Sequence, residues 1–409
     1  MKQAIALFLL SIMTTTVSAS QTITVSVSNP MNIARADVPI IIQLASYGEV
    51  RSALVTLNGQ EIPCQLDDLD KDDTFDELCF LANLDKKEKQ QYTVTLFDEG
   101  EPRPYPARVY AEMVLSNTKD KKLKKNQQNN YIESLTARGD AAYTYNVQHH
   151  HGVDFESELN GIRIYFDARQ TLDLYGKFNK QLELKETQFY TDDVQKKKGY
   201  GDDVLWVGQT FGLGAFRGWD SQQPTLVEPV ATRTQRIISY GPLRTIVEVI
   251  DKGWKADAQK APINMTLRYT QYAGHRDTDV DVLFNKDVSN YRFSTGIINV
   301  KNSEEFSDKK GLRACWGTDY PSTDTIKWSR ETVGLAVLVP QQNIVSEEPA
   351  NKDNYAYVLK VNGKQMSYKV TYTSANESFG YHSAKEWFDY LKAWRKEVEK
   401  PVVISISQF

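Results

Sequence analysis

Cysteine, histidine and unbroken apolar runs are all scarce in this sequence. Its 409 residues include three cysteines and five histidines. Three thiols cannot build the dense disulfide framework of a small secreted scaffold. The fold must therefore rest on hydrophobic burial, and a chain this long can bury one large core or two ordinary ones. An excess of either charge is also missing. Lys and Arg number 49 against 53 Asp and Glu, a net charge of −4, which argues against nucleic acid as a partner. No apolar stretch reaches membrane-spanning length, and there is no internal repeat or low-complexity tract.

Tyrosine is abundant: 22 residues against 16 Phe and 7 Trp. Tyr combines an apolar face with a hydroxyl and suits β-rich proteins and sugar-binding surfaces, although most tyrosines serve simply as strand residues. The N-terminus reads as a secretory signal over 1–20. Lys2 supplies the positive region, Ala4–Met13 the apolar region and Val17-Ser18-Ala19 the cleavage site. No cysteine follows it, so the expectation is a periplasmic or secreted protein without a lipid anchor or a membrane span. In that oxidising setting Cys64 and Cys79 could close a short hairpin loop, worth about 3 kcal/mol. The alternative is three reduced, buried thiols, Cys315 among them.

Periodicity indicates an almost wholly β fold. Thr22–Ser28, Val38–Ala45, Ala53–Leu57, Glu61–Leu66, Glu77–Leu81 and Tyr92–Phe97 are short strands between turn-forming clusters. They predict a small N-terminal β-sandwich over 21–115. Asn117–Asn130 is polar, basic and aperiodic, as expected of a linker or exposed excursion. The rest, 116–409, carries long strands from Ile162–Phe166 to Met366–Ser374 and predicts a large antiparallel sandwich. One helix is expected at Ser383–Glu399, with Trp387, Leu391 and Trp394 at helical spacing and Ser383 as N-cap. A last strand follows at Val402–Ile406.

The segment His149–Lys177 concentrates chemistry. His149, His150 and His151 stand at a strand entry. Two of them sharing a face with Glu156 and Glu158 could ligate a metal, but helical His-spacing motifs are absent. A general acid or base among them is favoured over a solvated loop cluster. Arg163, Tyr165 and Asp167 alternate with Ile162, Ile164 and Phe166. Their face continues toward Asp173, Tyr175 and Lys177, with Arg163 suited to a carboxylate and Tyr165 or Tyr175 to proton movement. A second, glycine-rich segment interleaves Tyr190, Tyr200, Asp202, Asp203, Arg217 and Trp219, as loops that hold carbohydrate do. Its Phe211–Ala215 stretch reads as a tight turn. Arg244 adds a cation that could serve a uronate subsite or a surface ion pair. Asp68, Asp70 and Asp72 imitate the opening of a calcium loop but lack its glycine, so the turn reads as an acidic hairpin with structural calcium as the other reading.

The segments QLDDLDKDDTFDELCFL, HGVDFESELNGIRIYFDARQTLDLYGK, YGDDVLWVGQTFGLGAFRGW and YGPLR together resemble the family catalogued as domain of unknown function 4861, over essentially the whole mature chain. That resemblance implies an exported Bacteroidota protein encoded beside polysaccharide lyases in polysaccharide utilisation loci. It also implies a galactose-mutarotase-like supersandwich, and it transfers no catalytic residue. The functional expectation is β-elimination on a uronic-acid-containing oligosaccharide, as a lyase or dehydratase, with no cofactor required. The catalytic candidates are His149, His150, His151, Arg163, Tyr165 and Tyr175. Glu156, Glu158, Asp167, Lys177, Tyr190, Tyr200, Asp202, Asp203, Arg217, Trp219 and Arg244 are candidates for binding substrate. The alternatives are a glycan-binding protein without catalysis, and a glycoside hydrolase using a carboxylate pair such as Glu156 and Asp203.

Overall fold

Alternating apolar residues organise nearly every element into antiparallel sheets. The structure is a computed structural model, and it describes residues 20–117, 119, 123–139, 144–301 and 303–408. The expected secretory signal, apart from Ser20, lies outside them. No described helix is long and apolar enough to cross a membrane.

The N-terminal strands form a sandwich of a five-stranded and a three-stranded sheet. Ile23, Val25, Val27, Ile40, Ile42, Val55, Leu78, Phe80, Tyr92 and Val94 fill its core. The outer strand of the five comes from the other end of the chain: Val403–Gln408 pairs antiparallel with Ile23–Ser28. Cys64 and Cys79 do not bridge, and all three cysteines are free and buried. In the strand pair, Cys64 lies opposite Phe80 and Gln65 opposite Cys79. Paired residues share a face and neighbours alternate, so the two thiols point to opposite sides of the sheet. Burial raises Cys64 to about 11 and Cys79 to about 12, and both stay protonated thiols. In the acidic hairpin, Asp68 and Asp70 are joined by Asp76 rather than Asp72. Asp72 instead accepts from the Thr74 amide and hydroxyl within its own turn.

The large unit is a supersandwich, as expected. A nine-stranded antiparallel sheet is faced by two five-stranded sheets, and one continuous core fills the space between the layers. The first facing sheet consists of Val109–Glu112, Gly152–Ser157, Gly161–Tyr165, Leu172–Gly176 and Asp202–Asp203. The predicted tight turn joins it to the second. Gly212 and Gly214 have φ of 55° and 81°, and a Cβ on Gly214 would meet Val370 at 2.3 Å. The expected helix spans Ala384–Glu399. Ser383 caps it by accepting from the Glu386 amide, and Trp387, Leu391 and Trp394 pack on Leu312, Ala314 and Ala336 of the nine-stranded sheet.

Polar contacts stitch the two units together. Arg244 pairs with Asp67 and Glu77. Gln65 donates to Ser239 and accepts from the Leu243 and Arg244 amides. Arg108 bridges Asp37 and Glu158. His275 Nε2 lies 2.8 Å from the Asp37 carbonyl and its Nδ1 3.2 Å from Asp277.

Two outcomes follow. Trp387 is fully buried, so Trp387→Ala should cost about 3–5 kcal/mol, read as a lower urea midpoint. Burial opposes the His275 charge, but Asp277 and the Asp37 carbonyl outweigh burial and the nearby Lys369, raising its pKa, and the Glu397 carboxylate also faces it. That contribution to stability is full below the unfolded-state value of about 6.5 and fades as pH rises through the higher folded value. The urea midpoint should therefore fall from mildly acidic to mildly alkaline pH, and more steeply in wild type than in His275→Gln.

Candidate functional site

The two-residue period of the first five-stranded sheet sorts its side chains. Ala111, Val153, Phe155, Ile162, Ile164, Leu172 and Leu174 enter the core. Their neighbours point the other way, and strand register sets four of these in one row: Glu112 opposite Asp154, Asp154 opposite Arg163, and Arg163 opposite Asp173. All four are at least 95% buried. Such a row survives only if its charges find partners inside the protein. Arg163 donates to Asp173 at 2.6 Å, to Asp203 at 3.0 Å and to the Tyr165 hydroxyl at 3.1 Å. Tyr165 in turn donates to Asp173 at 2.7 Å. Burial works against the Arg163 charge, but the surrounding Tyr165, Asp173 and Asp203 raise its pKa. Arg163 Nη1 remains buried without a hydrogen-bond partner.

The histidines form the turn that enters this sheet. His151 sits at φ 69°, and its ring meets Tyr165 edge-on at 6.3 Å. His150 is fully buried; its Nδ1 lies 2.8 Å from the Gly152 carbonyl. Its Nε2 faces Glu112 at 3.6 Å and Asp154 at 3.5 Å. Tyr110 donates to the other Glu112 oxygen at 2.7 Å. Burial, and then the Glu112 and Glu156 charges, push the Asp154 carboxyl well above the carboxylate range. Burial, aided by His150, Lys125 and His151, lowers His149 to about 3, so its imidazole is neutral. His149 Nε2 is buried and has no partner.

Two segments close over the polar face. Glu156 and Lys177 form a fully buried ion pair at 2.5 Å. Glu156 also accepts from the Glu183 and Leu184 amides, and Lys177 donates to the Ser157 and Gln181 carbonyls. This knot ties down the start of the helical turn Leu184–Thr187. Gln188 and Phe189 then take left-handed φ values of 46° and 64°, and the reversal sets Phe189 4.2 Å and Tyr190 5.9 Å from the Arg163 guanidinium. The second cover comes from Lys125–Gln128, within the stretch expected to be a linker. Gln128 and Gln188 exchange hydrogen bonds, and the Lys125 ammonium lies 3.3 Å from the Tyr190 ring centre. Desolvation, followed by the nearby Arg163 and Lys327 cations, lowers the Lys125 pKa.

His149, His150, His151, Arg163, Tyr165, Tyr190 and Asp203 therefore converge. Glu112, Asp154 and Lys125 join them without having been singled out for the site, and so does Asp173, which the sequence placed on this face but not among the candidates. Asp154 carried a signal, four residues after His150 and alternating with Val153 and Phe155; Glu112 and Lys125 carried none. Other candidates lie elsewhere or are engaged. Tyr175 is held by Thr191 and the Gly201 carbonyl, Tyr200 by Glu186, Asp167 by Arg169 and Asp202 by Lys196. Glu158 and Arg244 stitch the two units. Arg217 spends its donors on the Arg169, Gln209 and Thr210 carbonyls and the Thr171 hydroxyl. Trp219 pairs with Pro224 in the second five-stranded sheet.

A family model described as domain of unknown function (DUF4861) matches residues 27–404. No curated protein matches the chain. Among solved structures, a protein in the glycosyl hydrolase family 38 from Enterococcus faecalis aligns at 9% identity and TM-score 0.47, covering 94% of this chain and 47% of its own. An α-mannosidase from Enterococcus faecalis V583 aligns at 10% identity and TM-score 0.46, with 94% and 46% covered. The chain spans about half the length of each.

Removing one member of a buried ion pair strands the other. Lys177→Met should lower stability by about 3–5 kcal/mol, and adding Glu156→Gln should recover part of that loss. Equal urea midpoints for Lys177→Met and wild type would contradict the role given to this pair.

Proposed function

The chain belongs to the DUF4861 family, and we propose that it is a carbohydrate-processing enzyme that performs β-elimination on uronic-acid-containing oligosaccharides. One observation carries this reading. Three groups of different chemistry surround a single aromatic ring, that of Tyr190: the Arg163 guanidinium at 5.9 Å, the His149 imidazole at 5.2 Å and the Lys125 ammonium at 3.3 Å.

Elimination next to a carboxylate needs those three kinds of group. A cation must neutralise the carboxylate so that the adjacent carbon can lose its proton, a base must take that proton, and an acid must protonate the departing oxygen. Once the segments carrying Tyr190 and Lys125 admit the sugar, Arg163 offers Nη1 to the carboxylate, while Asp173 and Asp203 hold the rest of its fork. His149 offers Nε2 as proton acceptor, and Lys125 is the donor to the leaving oxygen. The C–H electron pair becomes the new C=C bond, and the C–O pair departs on the oxygen that Lys125 protonates.

Hydrolysis by Glu156 and Asp203 has less support, because Glu156 is spent on Lys177 and two backbone amides. Mixing the protein with a panel of uronate oligosaccharides should yield the ultraviolet absorbance of a conjugated, unsaturated uronate. Arg163→Lys should lower kcat/KM by about 100-fold or more, because an ammonium cannot replace the planar fork. Measurable binding with neither absorbance nor fragment release, across the panel, would mean a glycan-binding protein instead.

A further inference from the structure

We propose that Glu112, His150 and Asp154 form a binding site for one divalent transition-metal ion of the zinc or manganese class. The site lies on the polar sheet face, but the inference does not rest on the elimination reading.

The hydrogen bonding of His150 sets the argument. A carbonyl only accepts, so Nδ1, 2.8 Å from the Gly152 oxygen, carries the ring proton. In the neutral ring, Nε2 then presents a lone pair to two carboxyl groups, and at 3.5 and 3.6 Å even a protonated Asp154 makes no hydrogen bond to it. An imidazolium would not repair this, because 3.5 and 3.6 Å are long for a charged N–H···O bond. Backbone carbonyls hold metal-ligating imidazoles in this same way.

The second observation is the set of bare atoms. Glu112 Oε1, His150 Nε2 and both Asp154 oxygens are buried without a hydrogen-bond partner. Arg163 faces Asp154 across the strands, yet its guanidinium is turned to Asp173 and Asp203. Buried polar atoms are expensive to leave unsatisfied, and here they cluster at one point.

The third is spacing. Ligands at 2.0–2.2 Å from a tetrahedral ion stand about 3.3–3.6 Å apart. His150 Nε2 keeps that separation from both carboxylates, and one donor atom from each of the three residues lies within 4.8 Å of the others. One imidazole and two carboxylates suit zinc or manganese better than calcium, which takes oxygen ligands. Binding an ion takes the proton from Asp154, the two ionised carboxylates then match a dication, and the Tyr110 hydroxyl orients Glu112 from outside.

The test uses the full chain, stripped with a chelator and then dialysed against zinc chloride or manganese chloride. Wild type should retain about one equivalent of metal per chain, measured by inductively coupled plasma mass spectrometry, and melt at a higher temperature than the stripped protein. His150→Ala and Asp154→Asn should lose both the metal and the gain in Tm, whereas His275→Gln should keep both. Wild type that retains no metal above the dialysis blank overturns the proposal, as does folded His150→Ala that retains as much as wild type. If the variants do not fold, zinc-edge X-ray absorption of wild type decides. A nitrogen and oxygen shell with imidazole scattering supports the site, and a sulfur shell overturns it. Metal retention is measured without substrate, so this proposal and the elimination reading can fail separately.

Discussion

Charges placed in one row of a sheet that little water reaches must be balanced by the protein itself. Glu112, Asp154, Arg163 and Asp173 share a face because strand register and the two-residue period leave them no choice. Arg163 answers the Asp173 end of the row, together with Asp203 and Tyr165. The Glu112 and Asp154 end has no cation of its own and meets His150 through an acceptor nitrogen. The polarity of the site, its burial and its asymmetry all follow from that row.

Burial of the row depends in turn on the Glu156–Lys177 pair. A carboxylate that binds an ammonium and backbone amides at once has its lone pairs engaged, so its desolvation is offset locally. The pair also anchors the chain where it turns back over the sheet. Phe189 and Tyr190 can lie against Arg163 because the start of their covering segment, Gln181–Leu184, is held by this pair. Lys125 closes the other side through the same tyrosine. The site is thus made of a rigid sheet floor and two covering segments, an arrangement in which loops carry chemistry over a fixed scaffold.

Most strands and the single long helix were legible from a local period of two or 3.6, whereas Val109–Glu112 and Leu312–Asp319 were not. Ile263–Tyr272 and the Ser383-capped helix needed nothing beyond local pattern. The site was legible in part. His149–His151, Arg163 and Tyr165 could be picked out because rare or ionic residues crowded into one strand-like stretch. Alternation alone left open whether the polar second face met solvent or other segments, and the fold covers it.

By itself, then, the sequence determined which residues face together, because alternation along a strand is a property of the backbone and needs no partner. It could not determine which strands lie side by side or what covers them. Glu112 joins Asp154, Val403–Gln408 completes the first sandwich and Lys125 reaches Tyr190 only through pairings between distant segments. Cys64 and Cys79 stay apart for the same reason, their register placing them on opposite faces. Those relations depend on long-range hydrogen bonding and on compensation of buried charge, which exist only once the layers have packed.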